Sequence, residues 1–218
     1  MIRPVPETAS IATPTNDGRL NAPSAERNRQ PLCDLLAKVA PETGSALEIA
    51  SGTGQHVIAF AACLPDLTWQ PTEPDPTRRA SIDSYVTEAG LPNLLPARDL
   101  DAAAPGWGAA HQGQSLIVLI NLLHLISTAE AQILIDEAAL ALAPNGRFVV
   151  YGPFMRAGEL TSEGDERFNA SLRTTDPDIG YKDDFDVLDW AQAAGLTPLE
   201  ISEMPANNLA IVLQKPAI

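Results

Sequence analysis

The chain has 218 residues, enough for one domain with a substantial core, and its 28 acidic and 14 basic residues give a formal net charge of −14. With 45% hydrophobic and 19% charged residues, the composition is that of a folded protein. Because such an acidic surface repels phosphates and anionic lipids, neither nucleic acids nor membranes are expected partners.

The chain also lacks sequence features of export or metal binding. No apolar run reaches the ~20 residues that span a bilayer, and the first ten residues lack the apolar core of a secretion signal. We therefore expect a cytoplasmic protein. Cys33 and Cys63 have neither CxxC nor framework spacing, so we expect reduced thiols. No cluster has metal-ligand spacing, and we predict no metal site.

The first elements in chain order are a tail, a helix and a strand. Residues 1–23 are rich in Pro, Thr, Asn and Ala without periodicity, which predicts a flexible tail ahead of a single domain over 24–218. A helix begins near Ser24. “SALEIA”, residues 45–50, predicts a strand, and a second helix follows over 55–63.

The next stretches continue the alternation of strands and helices. “LTWQPTEP”, residues 67–74, predicts a second strand, after which Asp75 has the features of a helix cap and Gly90 those of a helix end. “NLLPARDLD”, residues 93–101, predicts a third strand. “SLIVLINLL”, residues 115–123, is nearly all apolar and predicts a central strand buried on both faces.

The second half begins with a capping box. Ser127 and Glu130 fit this motif and predict a helix through Leu142. “RFVVYGPF”, residues 147–154, predicts a fifth strand. The polar stretch 155–181 contains Phe168 and Leu172 at i, i+4 spacing, which predicts a short helix that is either a lid over the site or a surface excursion.

A helix at 183–194 and two strands at 196–204 and 208–215 complete the chain, and the short linker “PANN” predicts an antiparallel hairpin. The whole pattern predicts the α/β class, as a doubly wound, mostly parallel seven-stranded sheet with a C-terminal antiparallel hairpin. In such folds ligands lie beyond the carboxyl ends of the strands, where the strand order reverses.

The turn in “LEIASGTGQH”, residues 47–56, lies at such a strand end and contains Gly52 and Gly54. The dinucleotide fingerprint needs a third glycine, which would fall on Val57, and no phosphate-loop lysine follows. Glu48 disfavours phosphate but suits an ammonium group, and Glu73, at the second strand's end, suits both hydroxyls of a ribose. Neutral adenosine joined to an amino acid fits this arrangement, and S-adenosylmethionine is such a ligand.

“LEIASGTGQH” resembles the first motif of class I S-adenosylmethionine-dependent methyltransferases. From about Ser24 onward, the chain resembles the methyltransferase-like protein 26 family, long known only as a domain of unknown function. The stretches that carry this resemblance are “SAERNRQPL”, “LEIASGTGQH”, “WQPTEPDP”, “NLLH”, “YGPF” and “EMPANNLAIVLQK”. The resemblance implies a Rossmann-like class I methyltransferase fold with S-adenosyl-L-methionine as cofactor. It does not name a reaction, because the family's activity is poorly established.

The resemblance also implies roles for residues of the cofactor site. Ala50, Gly52 and Gly54 bring the backbone close to the ligand, and Glu48 supports its amino group. Glu73 binds the ribose hydroxyls, with Asp75 as the second choice.

The resemblance also implies which residues contact the adenine and the methyl-bearing region. Asp101 lies beside the adenine amino group, with Asp99 as the competing acid, and Leu100 packs on the ring. Asn121, at the end of the fourth strand, faces the methyl-bearing region.

Two side chains are candidates for catalysis. The unperturbed pKa of His124, near ~6.5, suits a base at neutral pH, although its apolar neighbours also permit a structural histidine. Tyr151 either lines the acceptor pocket or packs. His56 and His111 receive no catalytic role.

Arg27, Asn28 and Phe154 are the predicted walls of the acceptor side. “NLLH” departs from the proline-rich tetrapeptide of methyltransferases that modify exocyclic amino groups of bases. This departure and the negative charge predict a small-molecule acceptor.

The sequence therefore predicts an S-adenosylmethionine-dependent methyltransferase acting on a small molecule. The alternative is a protein that binds this cofactor without transferring a methyl group, as a sensor or partner. A nicotinamide oxidoreductase is disfavoured by Val57. The acceptor and the oligomeric state remain open.

Overall fold

The computed structural model describes residues 6, 9, 11–15 and 18–217, so much of the predicted tail lies outside the described residues. The helices are α1 (Pro23–Val39), α2 (Gln55–Cys63), α3 (Pro76–Ala89), α4 (Trp107–Ala110), α5 (Thr128–Ala141), α6 (Glu163–Thr175) and α7 (Asp184–Ala193). The strands are β1 (Thr13–Pro14), β2 (Leu20–Asn21), β3 (Gly44–Ile49), β4 (Leu67–Pro71), β5 (Gln114–Ile120), β6 (Leu142–Met155), β7 (Lys182–Asp183), β8 (Thr197–Met204) and β9 (Asn208–Gln214).

Seven of these strands form one sheet in the order β4-β3-β5-β6-β9-β8, with the short β7 beside β6. Strands β3 to β7 pair in parallel, whereas β9 is antiparallel to both β6 and β8. This topology confirms the predicted α/β fold with a mostly parallel seven-stranded sheet and a C-terminal hairpin. The strand order reverses beside β3, which places the carboxyl ends of β3, β4 and β5 at a topological switch point.

The predicted third strand, residues 93–101, is wrong as a continuous strand. The chain does run beside β4, but it forms only two isolated bridges there, Trp69 with Leu94 and Thr72 with Arg98. Pro96 lies between them and has no backbone N–H to donate to a ladder. The seventh strand is instead β7, whose two residues were not predicted.

The predicted helix ends are confirmed by their hydrogen bonds. The Asp75 side chain accepts from the backbone N–H groups of Thr77 and Arg78, and Gly90 ends α3 with a φ of 56°. Ser127 and Glu130 form a complete capping box at the start of α5. These caps fix where α3 and α5 begin, directly beside the turns that follow β4 and β5.

Helices cover both faces of the sheet because its central strands are apolar on both sides. In β3, Leu47 and Ile49 face the core that α5 and α7 cover, whereas Ala46 faces the core that α1 and α2 cover. Since side chains alternate along a strand, Glu48 points to the same side as Ala46. The last five residues of β5 are buried, as predicted for a central strand.

Part of the predicted tail is attached to the domain. The Leu20 N–H donates to Ser81 Oγ at 2.9 Å, and the Ala22 N–H donates to Gln55 Oε1 at 2.7 Å. Residues 20–22 are therefore bound to α2 and α3, although the sequence analysis assigned them to the tail.

Cys33 is buried and Cys63 is exposed, and both are free cysteines in the structure. Every helix in the described part of the chain is too short or too polar to cross a bilayer.

Candidate functional site

A cavity of about 460 Å³ opens at the carboxyl ends of β3, β4 and β5. Its lining comes from the turns after these strands, from the first turns of α1 and α2, and from Ala9 and Ile11 near the N-terminus. This is the position that the strand order predicts for a ligand site.

Six of the eight residues predicted to bind the cofactor line this cavity. They are Glu48, Ala50, Gly52, Glu73, Asp101 and Asn121. Two of them, Ala50 and Asn121, have positive φ values of 55° and 57°, at the points where the chain leaves β3 and β5. Such backbone conformations are uncommon outside glycine and concentrate at ligand sites.

Gly54 and Leu100, the other two, do not line the cavity. A Cβ on Gly54 would lie 2.9 Å from the Ile82 Cα, so this glycine allows the turn to approach α3 closely. The Leu100 side chain is buried in the core together with Trp107. The adjacent Asp101, Ala102 and Ala103 form that wall of the cavity instead.

The Glu73 carboxylate is held by the backbone. Its Oε2 accepts from the Gly52 N–H at 2.9 Å, and its Oε1 accepts from the Asp75 N–H at 3.2 Å. Burial raises the pKa of Glu73, while these two hydrogen bonds oppose the shift. The carboxylate is thus fixed on the cavity wall, and each oxygen keeps lone-pair capacity for a further donor.

The structure separates one pair of competing acids by position and the other only by hydrogen bonding. Asp101 lines the cavity, whereas Asp99 is 71% exposed and pairs with Arg79 at 3.3 Å. Glu73 and Asp75 both line the cavity, but one oxygen of Asp75 already accepts two hydrogen bonds from the first turn of α3.

Glu48 is the most buried acid of the site, with 1% of its surface exposed. Its Oε2 has no hydrogen-bond partner among the described residues. Burial raises the pKa of Glu48 to about 8, and the nearby Glu73 adds to the shift. The carboxyl group is therefore largely protonated at neutral pH unless a cation binds beside it.

His124, the predicted base, lies in the 3₁₀ turn Leu123–Leu125 and is not among the cavity-lining residues. Its ring packs against the edges of Phe168 and Tyr181, with centroid separations of 5.8 and 6.1 Å. Burial lowers the pKa of His124 to about 3, and the positive charge of Lys182 adds to the shift. This environment matches the structural alternative for His124.

Tyr151 and Phe154 are buried outside the cavity lining. Tyr151 faces the core under α1, where burial raises its pKa to about 12. Phe154 lies three residues further along β6, so its side chain points to the opposite face of the sheet. On α1, Arg27 is exposed and Asn28 is buried. Phe154 is thus separated by the sheet from the α1 residues that it was predicted to join.

The cavity-lining residues to which the sequence analysis gave no place at the site include His56, Arg78 and Glu130. His56 is the second residue of α2, directly after the glycine turn. A residue in the first turn of a helix that follows such a loop faces the ligand side, so its position carried a signal that was not used. Among the described residues, no group of three or more His, Cys, Asp or Glu side chains is placed to hold a metal ion.

Solved structures with a similar fold include an O-methyltransferase family protein from Burkholderia thailandensis, with a TM-score of 0.75, 16% identity, and coverage of 89% of this chain and 58% of that one. A putative O-methyltransferase from Nostoc punctiforme gives a TM-score of 0.76 at 18% identity, covering 88% of this chain and 56% of that one. Human N-acetylserotonin methyltransferase, solved in complex with SAM, gives 0.72 at 11% identity, covering 89% and 53%. The chain thus spans little more than half the length of these structures, and at such identities the likeness shows the fold.

A family model described as “Protein of unknown function (DUF938)” matches residues 19–215, nearly the whole described domain. The chain belongs to this family.

Proposed function

We propose that the protein is an S-adenosylmethionine-dependent methyltransferase acting on a small molecule, within the methyltransferase-like protein 26 family. The observation that carries the proposal is the charge of the cavity. Five carboxyl side chains and one arginine, Arg78, line it in the described part of the chain; the acids are Glu48, Glu73, Asp75, Asp101 and Glu130. S-adenosylmethionine is net positive, since its sulfonium and ammonium outweigh one carboxylate, whereas dinucleotides are anionic. The cavity therefore favours the former.

The proposed binding roles follow the positions of the acids. Glu73, held by the Gly52 and Asp75 amides, accepts from the ribose hydroxyls with the lone pairs that remain. Asp101 accepts from the adenine amino group. Glu48 supplies a buried carboxylate for the ammonium, whose charge favours the ionised form of this acid.

Bound S-adenosylmethionine would supply a methyl group on a good leaving group, for in-line transfer to a nucleophile. The contribution of the protein is then mainly alignment and exclusion of water. A partly apolar wall for this purpose is formed by Asn121 and Leu122, which follow β5, by Leu125 at the end of the 3₁₀ turn, and by Ile126 directly after it. Leu125 also packs against the cluster of Leu172, Ile179 and Tyr181, which connects this wall to α6, the helix for which the sequence allowed either a lid or a surface excursion.

A second candidate, binding without transfer, is favoured by one observation. Neither predicted catalytic residue, His124 or Tyr151, lines the cavity, and burial lowers the pKa of His124 to about 3 and raises that of Tyr151 to about 12. Incubation with methyl-labelled cofactor and an extract of small metabolites separates the candidates. Label in a product supports a transferase, whereas tight binding without a labelled product supports a sensor.

Calorimetry tests the ligand itself. We expect S-adenosylmethionine and S-adenosylhomocysteine to bind and NADH not to bind. A chain that binds NADH, or none of the three, contradicts the proposal.

A matched pair of acids tests the pose. Asp101→Asn presents an amide beside the adenine amino group, and we expect about 10-fold weaker binding of S-adenosylhomocysteine in calorimetry, since one charge-assisted hydrogen bond is weakened. Asp99→Asn removes an exposed acid two residues away and should leave the dissociation constant unchanged. Equal losses in the two variants would count against the adenine position.

A further inference from the structure

Lys182 has no role in the proposed function, although it is a deeply buried lysine next to the cavity wall. Only 6% of its surface is exposed. Lysine is rarely buried to this extent, because its ammonium group loses water and needs hydrogen-bond acceptors in exchange. Its Nζ donates to the Ile126 carbonyl at 2.7 Å and to the Gly180 carbonyl at 2.9 Å. The first of these acceptors belongs to a residue that lines the cavity.

The segment from Asn121 to Ile126, here called the wall turn, leads from the end of β5 towards the start of α5. The residues of this turn that line the cavity are Asn121, Leu122, Leu125 and Ile126. Two of its carbonyl groups accept hydrogen bonds from one distant stretch of the chain: that of His124 from the Gly180 N–H at 3.1 Å, and that of Ile126 from Lys182 Nζ. The conformation of the wall turn therefore depends on residues 180–182.

Side chains of the same stretch also pack on the wall turn. The His124 ring makes T-shaped contacts with Phe168 and Tyr181, and Leu125 packs against the cluster that contains Tyr181. Yet none of the residues from 163 to 182, all of which the structure describes, lines the cavity. Any effect of these residues on a ligand must therefore pass through the wall turn.

The short strand β7 gives Lys182 a fixed position from which to reach the wall turn. It pairs in parallel with β6 at Phe154 and Met155. The last pair between β5 and β6 joins Ile120 to Tyr151, so β7 joins β6 beyond the point where β5 ends. The Lys182 side chain thus connects the sheet to the turn into which β5 continues.

We propose that Lys182 is a positioning residue of the cavity, whose Nζ holds the Ile126 carbonyl and thereby keeps the wall turn in its ligand-binding conformation. This assignment rests on the proposed function. A buried carbonyl that loses its donor is costly, so the peptide unit that carries it turns towards another partner. Such a rotation displaces the Leu125 and Ile126 side chains, which form the wall. Lys182 acts through the turn and does not contact the ligand itself.

The test measures binding of S-adenosylhomocysteine by calorimetry. Lys182→Met keeps a long side chain but has no donor, and we expect about 10-fold weaker binding. Lys182→Arg keeps N–H donors on a side chain of similar length and should restore most of the affinity. Lys38→Met is the matched control, because Lys38 is exposed and pairs with Glu200 on the surface; its dissociation constant should equal that of the wild type.

A purely structural role predicts a different result. Lys182→Met would then have a lower melting temperature, but its folded form would bind S-adenosylhomocysteine as tightly as the wild type, and this outcome overturns the assignment. Weaker binding that Lys182→Arg fails to restore also counts against it, because the donors would then not be the cause.

If Lys182→Met fails to fold, amide exchange of the wild-type chain decides by NMR. The Gly180 amide donates to the wall turn, so it should exchange at least fivefold more slowly when S-adenosylhomocysteine is bound, although Gly180 does not line the cavity. An unchanged rate refutes the connection between the ligand and this stretch. A wild-type chain that does not bind S-adenosylhomocysteine refutes the proposed function, and the assignment with it.

Discussion

In the proposed function, Glu48 binds the ligand at a cost to the stability of the ligand-free protein. Its carboxyl group is buried with one unpartnered oxygen, and burial raises its pKa to about 8. The folded chain therefore holds a proton that the unfolded chain has released, across the interval between about 4.5 and about 8. Wild-type stability must fall as the pH rises through this interval, by up to ~1.4 kcal/mol per pH unit from this group.

Replacing Glu48 with Gln should remove this pH dependence, because an amide of similar shape cannot ionise. We expect thermal unfolding to show a melting temperature for Glu48→Gln that exceeds that of the wild type by an amount growing from pH 5 to pH 8 and constant above pH 8. The same variant should bind S-adenosylhomocysteine more weakly, since the proposed cation partner is lost.

The control is Asp99→Asn, which alters an exposed acid and should follow the wild type at every pH. A stability difference between Glu48→Gln and wild type that does not vary with pH would show that Glu48 is ionised in the folded protein below pH 8.

For single residues, the sequence placed the acids at the cavity more accurately than the apolar residues Leu100 and Phe154. Glu48 and Glu73 were found because strand ends in this fold converge on one cavity, and that depends only on where each strand stops, whereas Asp101 was placed there by the family resemblance. Leu100 and Phe154 were misplaced relative to the cavity because the direction of a side chain depends on register. An error of one residue along a strand turns the side chain to the opposite face.

Gly54 illustrates how one position couples two elements. It precedes α2 with a φ of 95°, and a Cβ there would lie 2.9 Å from the Ile82 backbone of α3. The glycine turn is therefore packed against α3 as well as bent. This packing keeps the first turns of both helices beside the cavity.

Gly54→Ala should accordingly destabilise the protein by about 3 kcal/mol, from the positive φ and the contact with backbone together. Gly90→Ala is the matched control, because Gly90 also has a positive φ but a Cβ there meets nothing within 4 Å. Its cost should be about 1 kcal/mol. Chemical denaturation measures both, and equal losses would show that the contact with α3 is relaxed at no cost.

Most elements could be predicted from the sequence because each carries local information. The caps at Asp75 and Ser127 and the apolar run of β5 are examples. The prediction of a continuous third strand was wrong. Two of its residues do form bridges to β4, but Pro96 lies between them and prevents a continuous ladder. β7 was missed because two residues have no periodicity, and only their pairing with the end of β6 makes them a strand.

On the scale of the whole molecule, burial is uneven across the sheet. β3 and β5 are central and mostly buried, whereas every residue of β8, the edge strand, is at least partly exposed. Leu199 and Ile201 of β8 are each 48% exposed. Local opening should therefore be easier at the β8 edge than in the centre.

Hydrogen exchange followed by mass spectrometry should show this gradient. We expect the amides of β3 and β5 to exchange last and those of β8 to exchange orders of magnitude sooner. Ligand binding should slow exchange in the turn from Ala50 to Gly54 without altering β8. Protection of β8 equal to that of β5 would instead indicate that this edge is covered in solution.

Within the part of the chain that the structure describes, the cavity lining comes from residues between Ala9 and Glu130, whereas β6 to β9, α6 and α7 come from the remainder. The second portion of the chain completes the sheet that supports the cavity. Substitutions after residue 130 therefore change none of the described residues that line the cavity. This division allows related proteins to vary in the second part of the chain, and to gain a new specificity there, while the residues that line the cavity in the first part stay unchanged.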